Sequence, residues 1–257
     1  ARDAGLHIPR LTIPVPPQGE SGAVEETARM LVDAEYPVLV ADRLARTPRG
    51  MTLLVELAET LQAAVIDRGS RLNFPTRHPL NQTHLYSNGP PPMNRVVIPQ
   101  ADVILGLEVM DFWSTVNVLR DQVHRSISRI AKSDAKLISI TTGDLYIRSN
   151  YQDFRRMQEV DLAIAADGEA TLPSLIEAVN RLTTRARRRA FEERGERLAA
   201  ASRVADEESR KAASYGWDAS PVSTARLCAE LWAQIKDEDW SLVSSYYSDG
   251  GGWPRRL

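Results

Sequence analysis

The run Pro37-Val38-Leu39-Val40-Ala41 decides the fold, because it is apolar throughout and lies between two helical patterns. An uninterrupted apolar run of this length is typical of a strand that is buried on both faces of a parallel sheet. Before it, residues 21–32 carry apolar side chains at helical spacing, and we expect Ser21 to cap that helix. After it, Thr47-Pro48 predicts the start of a second helix, since proline is favoured at the first helical position.

The same alternation of strand and helix continues along the chain. Short apolar runs predict further strands at 63–66, 103–107, 136–141 and 162–166. Apolar residues spaced by three and four predict a helix at 116–130, carried by Val116, Leu119, Val123, Ile127 and Ile130, and another at 169–182. Strands separated by helices favour parallel pairing with right-handed crossovers. The sequence thus predicts an α/β fold with a three-layer, doubly wound, mainly parallel sheet.

Two segments fall outside this alternation. Residues 67–99 are rich in Pro, Asn and Gly, and an irregular stretch of that length is usually functional or packed against a partner. Residues 183–213 are crowded with charge and have few large apolar side chains, which predicts a surface helix or linker. The arginines at 185 and 187–189 are followed at helical spacing by glutamates at 192, 193 and 196. These charges can pair within the helix, so they do not indicate an arm that binds nucleic acid.

Charge and composition exclude several classes of function. The chain has 32 Lys and Arg against 34 Asp and Glu, a net charge of −2, which argues against a grip of the whole protein on nucleic acid or anionic lipid. It has no apolar run long enough to predict a membrane span. Cys228 is the only cysteine, which excludes an internal disulfide or a cysteine metal cluster and fits a reducing, cytoplasmic location. Its place on the apolar face of a predicted helix suggests a core position.

Four segments, in order, resemble the thiamine-diphosphate (ThDP) enzymes of the acetolactate synthase and benzoylformate decarboxylase type. They are Tyr36-Pro37-Val38-Leu39-Val40-Ala41, Phe74-Pro75-Thr76-Arg77-His78-Pro79-Leu80, Gln100-Ala101-Asp102-Val103-Ile104-Leu105-Gly106, and Val160-Asp161-Leu162-Ala163-Ile164-Ala165-Ala166-Asp167. The second resembles the Phe-Pro-x-x-His-Pro-Leu stretch of that family and is the most specific of the four. Together they cover residues 20–182 and imply the Rossmann-like central domain of such an enzyme.

The resemblance also implies an organisation for the whole chain. Residues 1–19 would be an extended lead-in, 20–182 the central domain, 183–218 a charged helical linker, and 219–257 the truncated start of a pyrophosphate-binding domain. The family's pyrimidine domain with its essential Glu, and the Gly-Asp-Gly…Asn motif that holds Mg²⁺ and the diphosphate, have no counterpart in this sequence. The missing domains would therefore be the partners of this segment in a parent enzyme that forms a homo-oligomer.

The activity that the resemblance implies belongs to that parent. It would be a lyase or transferase that uses ThDP and Mg²⁺ on a 2-keto acid. The segment alone is expected to be inactive, with no catalytic residue, no metal ligand and no bound cofactor, and whether it counts as an enzyme stays open. Near the chain end, Asp249, Gly250 and Gly251 could offer backbone N–H groups to the diphosphate, although a flexible turn is the alternative.

Departures from the family pattern argue against bound FAD. Flavin-containing relatives have a glycine-rich turn after the first strand, where this chain reads Asp42-Arg43-Leu44. Their Gly-x-Arg after the third strand is replaced by Leu107-Glu108-Val109, and their Asp-x-Asp after the fourth by Thr141-Thr142-Gly143, with Asp144 one position late. Each change adds bulk or removes a partner of the dinucleotide. FAD is therefore not expected.

Two alternatives remain open. The first is a module that binds FAD or an adenine nucleotide through Arg43, Glu108 and Asp144, since ligands of doubly wound sheets bind at the carboxyl ends of the strands. The second is a non-catalytic scaffold derived from the family, which would work through the charged helix at 183–213.

Other conspicuous side chains have plain structural interpretations. His78 lies in a proline-rich loop, where a structural role is expected, and Asp102 stands at a strand start, where it can cap or stabilise a turn. Glu108 and Asp111 are either ligand-facing or solvated loop carboxylates. Phe112 and Trp113 could stack on a ligand ring, but packing is the expected role.

Overall fold

The computed structural model describes residues 10–12, 14–68, 71–83, 96–119, 123–124, 126–143 and 156–240. Within these ranges the helices are α1 Ser21–Asp33, α2 Pro48–Leu61, α3 Phe112–Val116, α4 Gly168–Leu182, α5 Arg185–Ser214 and α6 Thr224–Ile235. The strands are β1 Pro37–Ala41, β2 Ala64–Asp67, β3 Val103–Leu107, β4 Asn117–Leu119, β5 Ile127–Arg129, β6 Lys136–Ile140 and β7 Leu162–Ile164. No helix in this part of the chain is long and apolar enough to cross a membrane.

Five of the strands form one parallel sheet in the order β2-β1-β3-β6-β7. Val38 of β1 lies opposite Ala64 on one side and Ile104 on the other, so β1 is an interior strand, and all five of its residues are buried. The predicted parallel α/β sheet is confirmed. The order runs outward in both directions from β1 and β3, so the carboxyl ends of these two strands form the switch point of the sheet.

Two layers flank the sheet. Helix α4 packs against both α1 and α2, and the three form one layer. The connections β1–β2 and β2–β3 run in opposite directions along the sheet, so right-handed crossovers place them on opposite faces. The second layer therefore includes the segment 71–83, the short 3-10 helix Ile98–Gln100 and α3. Phe74 and Ile98 are completely buried in the core.

The predicted helix at 116–130 is wrong. Helix α3 ends at Val116, and β4 then pairs with β5 as an antiparallel hairpin. The apolar residues that suggested one helix face do not share a buried side, since Val123 is 85% exposed and Ile127 is 53% exposed. The segment is rich in β-branched residues, which favour strands over helices. The spacing by three and four was therefore coincidental.

The helix starts follow the sequence closely, with one correction. Thr47 caps α2 as predicted, its side chain accepting a hydrogen bond from Gly50 N–H, and Pro48 is the first helical residue. Ser21 is the first residue of α1 rather than its cap. The cap is Glu20, whose Oε2 accepts from Ala23 N–H at 2.9 Å. Hydrogen bonds from the backbone N–H groups of Gly22 and Ala23 hold the pKa of Glu20 below its ordinary value.

The segment 183–213, for which we expected a surface helix or linker, forms helix α5, but part of this helix is buried. Most of its residues are exposed, but Phe191, Arg194 and Leu198 in its first half are buried against the domain. Helix α6 packs more loosely, because Ala225 is its one buried residue. Cys228 is half-buried and lies outside the core, contrary to the sequence expectation.

The chain enters the domain at the carboxyl ends of the strands, here called the carboxyl edge of the sheet. It leaves the domain at their amino ends, the amino edge. Asp167 N–H, beyond the end of β7, donates to Pro17 O at 2.9 Å, so Pro17 lies at the carboxyl edge. Helices α1 and α2 each end directly before a strand begins, so their last residues lie at the amino edge. Arg194 of α5 contacts those helix ends.

Candidate functional site at the carboxyl edge of the sheet

Asp42 stands at the switch point, directly after β1. It is 4% exposed, and its Oδ2 accepts a hydrogen bond from Met110 N–H at 3.2 Å. Its Oδ1 is buried and has no hydrogen-bond partner among the described residues. Buried carboxylate oxygens normally have a partner, so this atom retains the capacity to accept a hydrogen bond.

Glu108 follows β3 and adopts a left-handed backbone conformation with φ 51°. Its Oε2 accepts from Thr141 Oγ1–H at 2.9 Å and from Thr142 N–H at 3.3 Å. Its Oε1 accepts from Gly168 N–H, the first residue of α4, at 2.9 Å. One side chain thereby joins the ends of β3 and β6 to the start of α4, and both of its oxygens are used inside the protein.

The start of α4 holds two more carboxylates. Asp167 caps the helix by accepting from Ala170 N–H at 2.8 Å, and it forms an ion pair with Arg46. The hydrogen bond with Asp167 raises the pKa of Arg46 above its ordinary value. Glu169 accepts from Arg46 N–H at 2.8 Å and from Thr47 Oγ1–H at 2.6 Å. The loop after β1 is thus fixed to α4 by charged and hydrogen-bonded contacts.

This arrangement decides which ligands the edge can accept. A helix N-terminus is ordinarily an anion site, but here Glu108 and Asp167 already supply the negative charge. A Cβ on Gly168 would also lie 2.7 Å from Leu44 Cδ1, so the helix start is closely packed. The described residues at this edge therefore do not fit the diphosphate of ThDP or of FAD.

Asn73 and Asp67 complete the edge and were not identified from the sequence. Asn73 Nδ2 donates to Asp42 O at 2.6 Å and to Asp67 Oδ1 at 2.9 Å. Asn73 N–H donates to Asp67 Oδ2 at 2.9 Å. The pair fastens the start of the irregular stretch to the ends of β1 and β2. The one available signal was the position of Asn73 directly before Phe74-Pro75.

His78 has the structural role that its sequence context predicted. Its Nδ1 accepts from Leu80 N–H at 3.2 Å, so Nε2 carries the proton and donates to Glu59 Oε1 at 3.2 Å. Its ring also meets the Phe74 ring edge-on, with 4.8 Å between centroids. These three contacts hold the turn at 75–80 in place.

The predicted site residues divide into those that the structure describes and those that it does not. Arg43 is exposed, and its N–H donates to Glu108 O at 3.3 Å, so these two residues meet at the carboxyl edge. A role for either in nucleotide binding stays a prediction. Asp144, Asp249, Gly250 and Gly251 lie outside the described residues.

The remaining candidates make local contacts. Asp111 caps α3 by accepting from Ser114 N–H at 2.9 Å. Phe112 is buried, and Arg156 lies over the Trp113 ring at 4.4 Å from its centroid. Within the described ranges no group of three or more His, Cys, Asp or Glu side chains is arranged to hold a metal ion.

Comparison with known proteins places this fold in a family. The family model for the central domain of thiamine pyrophosphate enzymes matches residues 24–175. Benzoylformate decarboxylase from Polynucleobacter necessarius resembles the chain with 17% identity and a TM-score of 0.47, over 68% of this chain and 30% of that one. A protein from Mycobacterium smegmatis described as thiamin diphosphate-dependent does so with 20% identity and a TM-score of 0.44, over 66% and 30%.

The extent of these matches defines what they show. No curated protein matches the chain. The chain spans 30% of the length of each of the two solved structures. The family model covers more than half of the 257 residues. This chain therefore belongs to the thiamine pyrophosphate enzyme family, as a central domain of that family.

Proposed function

We propose that this chain is the central portion of a ThDP- and Mg²⁺-dependent 2-keto acid decarboxylase, synthase or lyase that resembles the acetolactate synthase large subunit. The observation that carries the proposal is the match of the central-domain family to residues 24–175. The role of the segment is structural: it packs between cofactor-binding domains, and the stretch at 67–99 shapes the approach to the active site. The segment alone is inactive.

The polar groups of the carboxyl edge support this role. Glu108, Asp167 and Glu169 spend their oxygens on the protein's own N–H and O–H groups. In the part of the chain that the structure describes, these carboxylates leave no diphosphate site at the start of α4, and we place ThDP elsewhere in the parent. The proposed boundaries are a lead-in at 1–19, the domain at 20–182, a linker at 183–218 and the start of a pyrophosphate-binding domain at 219–257. In that last part, Asp249, Gly250 and Gly251 would contact the diphosphate.

Calorimetric titration with ThDP and Mg²⁺ tests the proposal. The full-length parent should bind, and the 257-residue segment should give no heat of binding. Binding by the segment alone would contradict our placement of the cofactor. Silence from both would contradict the enzyme assignment and favour the non-catalytic scaffold.

A second candidate function, nucleotide binding, is favoured by one observation: Oδ1 of buried Asp42 at the switch point has no partner among the residues that the structure describes. A ribose hydroxyl is a donor of the kind that this oxygen could accept. Arg43 and Glu108 lie beside it, and Asp144 would complete the site. The carboxylates at the start of α4 speak against FAD, because its diphosphate would meet like charge. Nucleotide released on denaturation of the purified protein, and lost in Asp42→Ala, would support this function.

A further inference from the structure

The carboxyl ends of α1 and α2 lie together at the amino edge of the sheet. The last carbonyl groups of a helix have no partner within the helix, and they carry partial negative charge. Here the carbonyls that lack a partner within a helix belong to Ala34 and Glu35 after α1, and to Leu61 and Gln62 at the end of α2. Two helix ends side by side thus present four acceptors that require donors.

Arg194 of α5 supplies those donors. Its Nε donates to Gln62 O at 2.9 Å, and its Nη1 donates to Ala34 O at 3.1 Å and to Glu35 O at 3.0 Å. Its Nη2 donates to Leu61 O. The residue is 2% exposed, and no described carboxylate forms an ion pair with it. Its hydrogen-bond partners are backbone carbonyls, and the carboxylate of Asp102 on the far side of the turn adds a favourable charge interaction.

The geometry suits a guanidinium and no other cation of the protein. A guanidinium is planar and presents five N–H groups in a fixed fork, which can reach several carbonyls in one plane. An ammonium group is compact, strongly hydrated and has three donors. Burial lowers the pKa of Arg194 to about 10, which leaves the side chain charged at neutral pH.

The neighbours of Arg194 extend the contact along α5. Phe191 is buried one turn earlier, and the Arg194 guanidinium lies 4.7 Å from its ring centroid. A Cβ on Gly195 would lie 2.9 Å from Gln62 Cδ, so the helix backbone touches the end of α2. Gln82 Nε2 donates to Leu198 O at 3.2 Å. The first half of α5 is therefore seated on the domain, with Arg194 at its centre.

We propose that the carboxyl ends of α1 and α2 form a guanidinium-binding socket, and that Arg194 in this socket fastens α5 to the domain. The socket fixes the direction in which the chain runs on towards α6. The proposal is independent of the reaction of the parent enzyme, because it concerns the amino edge of the sheet and needs no cofactor.

Hydrogen exchange of the full chain tests the fastening. In Arg194→Ala, the backbone amides of 191–202 should exchange ~10-fold faster or more, because the docked helix opens locally. Arg188→Ala is the matched control, since Arg188 lies on the same helix with an exposed side chain. Equal exchange rates in the two variants would overturn the proposal.

Chemical rescue tests the socket itself. Ethylguanidinium added to Arg194→Ala should restore at least half of the lost protection, whereas ethylammonium at the same concentration should restore none. Guanidinium salts otherwise destabilise folded proteins, so a gain in protection reports specific binding. Failure of rescue, or equal rescue by both cations, would overturn the socket.

A measurement on the unaltered protein covers the case in which Arg194→Ala does not fold. The guanidinium N–H protons of Arg194 should exchange with solvent slowly enough to be observed by NMR, unlike those of exposed Arg188. Exchange as fast as that of Arg188 would contradict a filled socket. Arg194→Lys should lose protection as Arg194→Ala does, because the charge remains but the fork is gone.

Discussion

Asp102 and Arg194 hold the same turn from its two sides. Asp102 accepts from Glu35 N–H at 2.6 Å and from Tyr36 N–H at 2.9 Å. Arg194 donates to Glu35 O at 3.0 Å and to Ala34 O at 3.1 Å. The passage from α1 into β1 thus has its donors and its acceptors satisfied by two side chains that are far apart in the sequence. This turn links the start of β3, the start of β1 and helix α5 in one network.

Asp102→Asn should weaken that network. The amide keeps one acceptor oxygen and turns an NH₂ group towards a backbone N–H, so one hydrogen bond is lost. We expect a loss of ~1–3 kcal/mol in the free energy of unfolding, measured with chemical denaturant. Asp134→Asn, at an exposed turn, should change it by no more than about 0.5 kcal/mol. Equal effects would show that Asp102 caps nothing of consequence.

Gln62 and Gly195 should be energetically coupled. Gln62 has a left-handed backbone with φ 48°, and its side chain occupies the space that a Cβ on Gly195 would need. Gly195→Ala alone should destabilise the protein, because the Gln62 side chain must move and lose its bond to Glu59 O. In a Gln62→Gly background the same change should instead stabilise by ~1 kcal/mol, the difference in helix propensity.

A double-mutant cycle measures this coupling by thermal or chemical unfolding. The three variants should show an interaction energy of about 1 kcal/mol or more, as expected for residues in contact. Gly→Ala effects that add independently of residue 62 would refute the close approach of α5 to α2.

Asp161 and Lys136 should make stability depend on pH at both extremes. Burial alone would raise the pKa of Asp161, but hydrogen bonds from Lys136 Nζ and Leu137 N–H bring it below its ordinary value of 3.8. Its contribution is therefore present above 3.8 and lost as pH falls through the lower folded value. The hydrogen bond with Asp161 raises the pKa of Lys136 above 10.5, so its contribution is present below 10.5 and lost at higher pH.

The free energy of unfolding, measured across pH for the unaltered 257-residue chain and for Asp161→Asn, checks this assignment. The variant should lose part of the acid dependence and should be less stable at neutral pH. Because the pair is half-exposed, high salt should reduce the difference. Identical acid limbs in the two proteins would be incompatible with the assignment.

The thiol of Cys228 should titrate late. Burial raises its pKa above the ordinary value of 9.0. The rate of alkylation, followed against pH, should therefore have its midpoint above 9.0 in the folded protein and near 9.0 in denaturant. A folded midpoint at or below 9.0 would mean that α6 leaves the thiol fully solvated. As the only cysteine, it needs no background correction.

Local signals predicted the sheet, and long-range contacts could not be predicted. The runs that form β1 and β3 are apolar throughout, so a few adjacent residues are enough to predict burial on both faces. Thr47-Pro48 likewise carries its helix start within two positions. The hairpin at 117–129 was missed because its apolar residues also fit helical spacing. A helix pattern in a segment rich in β-branched residues is weak evidence.

The Arg194 socket and the bonds of the carboxyl edge could not be predicted from the sequence for a different reason. The partners of Arg194 are backbone carbonyls, which every residue possesses, so no residue type marks the socket. At the carboxyl edge, Glu108 was noticed as a strand-end residue. Its bonds to Thr141 and Gly168 span 33 and 60 positions, and only the folded sheet brings them together.

The opposite placement of Pro17 and Arg194 has a mechanical consequence. Many domains have neighbouring termini and can be inserted into a loop of another protein. Here Pro17 is bonded at the carboxyl edge and α5 at the amino edge. The chain therefore enters and leaves the domain at opposite ends of the strands. A pulling force between these two points would act along the strands. It would load the hydrogen bonds between the parallel strands in shear. Such a domain can transmit tension along its strands from one edge of the sheet to the other.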